Sequence, residues 1–189
     1  MKIATKLSQL APVTELDGCR VCGGDELLSV LDLGEQHIGN AFHPEDEPPE
    51  LVAPLDLVRC ADCSMVQLRH SVDSDLMYES YWYRSGVNRT MREHLQGLIR
   101  EVMETAPLAS GDIVIDIGCN DGTALLSYPK DVRTVGVDPS NIRPARAEAF
   151  VNDYFSAETL AGTLRGRRAR IITSIAMFYD LNEPDSFVQ

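Results

Sequence analysis

Four of the five cysteines stand in two pairs, "CRVC" (Cys19 and Cys22) and "CADC" (Cys60 and Cys63). Two CxxC turns constrain the fold more than any other feature of this chain. Each turn aims two sulfurs at one point, and four thiolates satisfy the tetrahedral preference of structural zinc. Gly23 and Gly24 follow the first pair, as a tight turn around ligands requires. The pairs are separated by residues 23–59, more than the ~15–20 residues common in such sites. That segment fits a β-hairpin whose exposed loop falls in the acidic, proline-rich "HPEDEPPELVAP". The alternatives are a thioredoxin-like redox motif, which normally stands alone beside a βαβ unit, and buried unligated thiols. Cys19, Cys22, Cys60 and Cys63 are read as ligands of a structural Zn2+, with no position left open for catalysis. His37, His43, His70 and His94 are scattered and read as surface or packing residues.

Around the cysteines, "LLSVLDLG", "IGNAF", "LDLVRC" and "MVQL" are short apolar runs broken by turn residues, the pattern of a small β-rich module. Residues 1–15 read as a weakly ordered arm and 16–85 as the zinc-binding module. Beyond residue 86 the periodicity changes. Met91, Leu95, Leu98, Ile99, Val102 and Met103 share one helix face, with Asn88 or Thr90 as the cap. Apolar runs then follow in "IVIDIG", "TVGVD", "EAFVNDYF" and "RIITSIAMF", interleaved with helix-like "GTALLSYP" and "SAETLAGTLRG", and "NEPDSFVQ" can start another helix. Strands alternating with helices predict an α/β fold with a parallel sheet. The expectation is a β-rich zinc-binding module followed by a partial Rossmann-like domain over 86–189, holding its first four strands. A sheet that stops there has an uncovered side, so the chain reads as the front part of a longer protein.

The formal net charge is −12. Such a surface repels phosphate backbones and offers nothing to anionic lipid, so neither nucleic acid nor membrane is expected as a partner. The N-terminus lacks the apolar core of a signal peptide, and no apolar run approaches 18 residues. A cytoplasmic protein with reduced thiols is expected, which favours metal over disulfide.

The stretch "VIDIGCNDGTALL" ends an apolar run on an acid and opens into a loop with two glycines. A dinucleotide fingerprint would place glycine at 120 and 123, where Asn120 and Thr123 stand, and a P-loop would need GK[ST]. What remains is Asp116, Gly118, Asn120 and Gly122, with glycines that let a ligand approach the backbone. No lysine cradles a triphosphate. Asp138 ends the next run about 20 residues after Gly118, where a carboxylate can accept from ribose hydroxyls. An adenosyl ligand with an amino-acid tail and no phosphate fits: S-adenosylmethionine. The competing reading is an ordinary strand–turn–helix with acids at strand ends. Cys119 lies in this loop, where only backbone is needed, and is not expected to be catalytic.

With "LDLGEQHIGNAF", "VRCADCSMVQL", "YWYRSGVNRTM", "DIGCNDGTALL", "VGVDPSNI" and "IITSIAMFYDLNEPDSFV" added to the CxxC pairs, the chain resembles sugar C-methyltransferases that modify nucleotide-linked deoxysugars. More broadly it is similar to class I S-adenosylmethionine-dependent methyltransferases with an N-terminal zinc-binding domain. The resemblance implies that Asp116, Gly118, Asn120, Asp121 and Gly122 line the methionine and ribose side of the cofactor. Asp138, Pro139 and Ser140 would hold ribose and adenine. Ile175, Ala176, Met177 and Phe178 would line the floor near the methyl group. Tyr81, Tyr83 and Ser85 match a segment that reaches towards the substrate, a sugar nucleotide; packing is their other reading. The family's His/Glu catalytic cluster is expected beyond residue 189, so no catalytic residue is assigned. A non-catalytic zinc- and cofactor-binding scaffold is the alternative, and a different small acceptor with oxygen or nitrogen as nucleophile is a third.

Overall fold

β-Branched and leucine-rich runs set the strands, and a computed structural model describes them over residues 9–10, 13–38 and 51–189. The chain divides into two compact units, Met1–Trp82 with Asn182–Gln189, and Tyr83–Leu181.

In the first unit, β3 (Leu27–His37) and β4 (Leu51–Cys60) pair antiparallel from Leu27↔Cys60 to His37↔Val52. This is the hairpin expected between the cysteine pairs. The ladder slips between Ser29 and Leu31 and again between Asp32 and Glu35. Gly34, at φ +64°, sits in the second slip, and its N–H is held by Asp32 Oδ1 at 2.8 Å. Leu51–Pro54, read as loop, extend β4 instead, because Val52 and Ala53 are buried there. Residues 43–50 of that loop, and Gly39–Phe42 of "IGNAF", lie outside the described residues. β1 (Gln9–Leu10) joins β4 in parallel, and β5 (Val66–Leu68) pairs with its other end. β2 (Val13–Glu15) pairs antiparallel with β6 (His70–Val72). The stretch expected as an arm therefore contains two short strands, each satisfied by a partner more than 40 residues away. Helices α1 (Ser74–Tyr78) and α4 (Pro184–Val188) complete this unit.

The second unit starts with α2 (Arg89–Thr105), capped by Asn88, whose side chain accepts from Thr90 N–H at 2.8 Å. The predicted apolar face holds: Leu95 and Ile99 are buried, with Met91, Leu98, Val102 and Met103 packed alongside. A four-stranded parallel sheet follows in the order β10–β7–β8–β9, formed by β7 (Ile113–Ile117), β8 (Arg133–Val137), β9 (Ala149–Val151) and β10 (Ile171–Ser174). β7 is buried at every residue, as a strand covered on both faces must be. Helix α3 (Ala157–Leu164) precedes β10 and carries a Ser156–Thr159 capping box.

One helical expectation fails here. "GTALLSYP" yields only a 3₁₀ turn, Leu125–Ser127, because Pro129 follows at once. The carbonyls it leaves over are met by Arg146, which donates to Leu125 O, Tyr128 O, Pro129 O and Val132 O. The crossover from β8 to β9 holds no helix either, since Pro139 and Pro144 interrupt it.

Register brings three loops together. Ile117 pairs with Val137, and Ser174 pairs with Ile117. The segments 118–122, 138–140 and 175–177 therefore leave the sheet side by side from the carboxyl ends of three adjacent strands. In open α/β sheets ligands bind at that edge.

Candidate functional site

Two sites emerge, one in each unit. In the first, the sulfurs of Cys19, Cys22, Cys60 and Cys63 all lie within 4.8 Å of one another. Cys19 Sγ is 3.6 Å from Cys63 Sγ, and Cys22 Sγ is 3.6 Å from Cys60 Sγ. A zinc ion at ~2.3 Å from each sulfur of a tetrahedron needs sulfur–sulfur edges of ~3.8 Å. The cluster meets that spacing, and a disulfide would need ~2.05 Å. It is the only such group of potential metal ligands among the described residues.

The two turns have the same construction. Gly23 N–H donates to Cys19 O and Cys19 N–H to Gly24 O; Ser64 N–H donates to Cys60 O and Cys60 N–H to Met65 O. The residue after each pair is left-handed, Gly23 at φ +73° and Ser64 at φ +65°. Backbone amides also point at sulfur. Burial opposes ionisation of Cys19, but the amides of Cys22 and Val21 outweigh it and draw the thiol down to about 7. The Gly24 and Met65 amides pull Cys22 and Cys63 the same way, but the neighbouring thiols and burial push both groups up on balance. A Cβ on Gly23 would touch nothing within 4 Å, so its cost is conformational alone. Gly23→Ala is expected to lower the melting stability of this unit by ~1–2 kcal/mol. Ser64→Gly should change it by less than ~0.5 kcal/mol, since relieved strain and added unfolded-state freedom oppose each other. Equal losses in the two variants, measured by thermal melts of zinc-loaded protein, would contradict this account.

In the second unit, Gly118 N–H and Cys119 N–H both donate to Val137 O, at 2.8 and 3.1 Å, which pins the glycine loop to the end of β8. Gly118, Asn120 and Gly122 are all left-handed, at φ +70°, +50° and +76°. Gly122 admits no side chain, because a Cβ would lie 2.8 Å from Pro144 Cβ and 3.1 Å from Arg146 O. A Cβ on Gly118 would meet Met177 Cγ at 3.1 Å. Met177 thus packs over Gly118, and Ala176 beside it is held at φ +55°, where a non-glycine residue is strained.

Asp138, almost buried, organises the loop. Its Oδ2 accepts from Asn120 N–H at 2.7 Å, and its Oδ1 accepts from the N–H and hydroxyl of Ser140. By lone-pair count Oδ2 retains room for one further donor. Asn152 Nδ2 ties the turn down at Asp138 O and Ser140 O, and Pro139 lies between them. Asp116 is 3% exposed and accepts from Thr173 Oγ1 at 2.6 Å, across the β7–β10 pairing. Burial lifts its carboxyl to about 6; the Thr173 hydroxyl pulls the other way and the Asp138 carboxylate adds to the rise. Such a group favours a cation placed beside it. Tyr128 is buried near the same place, and burial raises its phenol to about 12. Thr173 and Tyr128 escaped the sequence reading; the alignment of β10 on β7 was the one signal for Thr173.

Cys119 is a packing residue. Burial first, then the Asp138 and Asp116 carboxylates, push its thiol well above the usual range. It fills the space over Gly136, where a Cβ would meet its sulfur at 2.7 Å. Of the aromatic segment, Tyr83 and Ser85 belong to the second unit and meet the loop through their backbones, as described below. Tyr81 belongs to the first unit, its ring centroid 6.3 Å from that of Tyr78. His37, His70 and His94 take no part in the cysteine cluster, and His43 lies outside the described residues.

A four-cysteine β module and a parallel α/β sheet with a glycine loop at its carboxyl edge define a two-part protein with a metal-stabilised front. Residues 19–78 match a family described as "Putative zinc binding domain". Over 131 residues the chain is 35% identical to C-methyltransferase NovU of Streptomyces niveus. The matched stretch is 68% of this chain and 31% of that relative, so the chain spans about a third of the relative's length. Over the matched residues the chain is similar to that C-methyltransferase, and its front matches the zinc-binding family. Its front module holds structural zinc through Cys19, Cys22, Cys60 and Cys63.

Proposed function

We propose that this chain is the cofactor-binding part of an S-adenosylmethionine-dependent methyltransferase that methylates carbon on a nucleotide-linked deoxysugar. The parallel sheet is then the front of a Rossmann-like domain. The observation that carries the reading is the meeting of three segments at one sheet edge: the glycine loop, the Asp138 turn and the Ala176–Phe178 segment. Similarity to a C-methyltransferase supports the reaction class.

In this reading the left-handed glycines let the cofactor's backbone-like methionine tail approach Gly118 and Gly122 closely. Buried Asp116 favours a positive centre, and Asp138 offers its remaining Oδ2 lone pair to a ribose hydroxyl. Pro139 and Ser140 border the adenine side, and Ala176, Met177 and Phe178 form the floor beneath the reacting group. When bound, the cofactor supplies an electrophilic methyl group. The chain's residues bind and orient it, and no general base is assigned among them. The net charge of −12 argues against nucleic acid, and the sugar-nucleotide partner rests on the similarity to a C-methyltransferase. No helix among the described residues is long and apolar enough to cross a membrane. None of the five cysteines forms a disulfide, as a reducing cytoplasm favours.

Calorimetry with S-adenosylhomocysteine tests the cofactor reading. The zinc-loaded chain should bind one equivalent, and Asp138→Asn should weaken binding at least ~tenfold, the cost of one charged hydrogen bond. A folded chain that gives no heat would remove the cofactor from the account.

A further inference from the structure

Asn120 and Asp121 direct their hydrogen bonds inward, to the protein. Asn120 Oδ1 accepts from Ser85 N–H at 3.2 Å and from Asp121 N–H at 2.8 Å, and Asn120 Nδ2 donates to Tyr83 O at 3.0 Å. Asp121 Oδ2 accepts from Gly86 N–H at 2.8 Å, while Oδ1 accepts from the N–H and hydroxyl of Thr123. Gly86 must be glycine, since a Cβ would lie 2.8 Å from Thr123 Oγ1 and 2.9 Å from Asp121 Oδ2. Arg92, in the first turn of α2, holds the far end by donating to Gly86 O and Val87 O. The Tyr83–Gly86 strap is thus bound to the glycine loop through its backbone at three of its four residues. Glycine alone would serve the left-handed position at 120. The buried asparagine adds an amide whose acceptor and donor both grip the strap.

We propose that Asn120 and Asp121 are positioning residues: they fasten the Tyr83–Gly86 strap to the ligand loop, present Tyr83 and Ser85 at the edge of the site, and couple the order of the strap to occupancy of the loop. The coupling rests on the cofactor reading above; the anchoring does not. Coupling of this kind is reciprocal: the factor by which bound ligand favours the ordered strap is the factor by which the ordered strap raises ligand affinity.

Amide hydrogen exchange, followed residue by residue with and without S-adenosylhomocysteine, separates the parts. Without ligand, the Ser85 amide should exchange at least ~tenfold faster in Asn120→Gly, which keeps the left-handed turn, and Gly86 should do so in Asp121→Ala. Asn120→Asp replaces the donor facing Tyr83 O and should also release the strap, at unchanged side-chain size. In the parent chain saturating ligand should slow Ser85 and Gly86 further, and Asn120→Gly, brought to saturation at the higher ligand concentration its weakened binding requires, should lose that slowing. Unchanged ligand-free rates in all three variants would overturn the anchoring. Binding without any slowing at Ser85 and Gly86, or slowing that persists in Asn120→Gly, would overturn the coupling. Absence of binding by the folded parent chain would overturn the cofactor reading and the coupling with it, and the ligand-free rates would still judge the anchors.

Discussion

Removing zinc is expected to unfold the first unit and leave the parallel sheet of the second in place. Apart from its two buried cysteines, Cys19 and Cys60, the buried apolar residues of that unit among the described residues are Val52, Ala53 and Val58. Along β3 the large apolar side chains remain in solvent: Leu28, Val30, Leu31 and Leu33 are 42–57% exposed. So little burial does not offset the entropy of ordering a hairpin this long. Zinc binding to four thiolates contributes on the order of 10 kcal/mol, which is the scale of a whole domain's stability. Chelation at neutral pH, or Cys60→Ser, should reduce metal content from one zinc per chain to none. Amides of β3 and β4 should then exchange freely while those of β7 and β8 stay protected. Persistent protection of the β3–β4 ladder in metal-free protein would show that the module holds itself together by packing.

The same contrast explains what was legible in the sequence. Metal ligation is local chemistry, and CxxC writes it into four residues, so the cluster and its hairpin could be read directly. Parallel strands were legible for a related reason: "IVIDI" and "TVGV" are too apolar and too β-branched to lie anywhere but inside a sheet. What escaped depends on partners distant in the chain. Val13–Glu15 becomes a strand only because His70–Val72 lies beside it. The "GTALL" segment stops at a 3₁₀ turn before Pro129, and the Leu125 and Tyr128 carbonyls left there are met by Arg146 from the next crossover. Asn120 stands out in sequence as a missing glycine, yet its amide acquires meaning only when Tyr83 and Ser85 lie against it. The glycine pattern marked the loop's location but not the work of its side chains.

Asp116 should make the native state less stable as pH rises, and replacing it should reverse that while damaging ligand binding. Its carboxyl moves from an ordinary value of 3.8 to about 6 in the fold, chiefly through burial. Below pH 4 the group is protonated in both folded and unfolded chains, and it favours neither. Between 4 and 6 the folded chain holds the proton more tightly, so each step up in pH favours unfolding. Above 6 the penalty is complete, about 2–3 kcal/mol, since each tenfold gain in proton affinity is worth about 1.36 kcal/mol. Asp116→Asn keeps an acceptor for the Thr173 hydroxyl and carries no charge, so it should be more stable than the parent at pH 7.5 by roughly that amount and nearly equal to it at pH 4. Urea titrations of both chains at the two pH values read this difference directly, and the other titrating groups cancel in the comparison. A structural carboxylate would give the opposite result, with the asparagine chain weaker at pH 7.5. Calorimetry supplies the second half: without the Asp116 carboxylate, affinity for an adenosyl ligand carrying a cationic tail should fall by at least ~tenfold at pH 7.5. Stability gained and binding lost at one substitution would mark Asp116 as a residue kept for its ligand at the fold's expense.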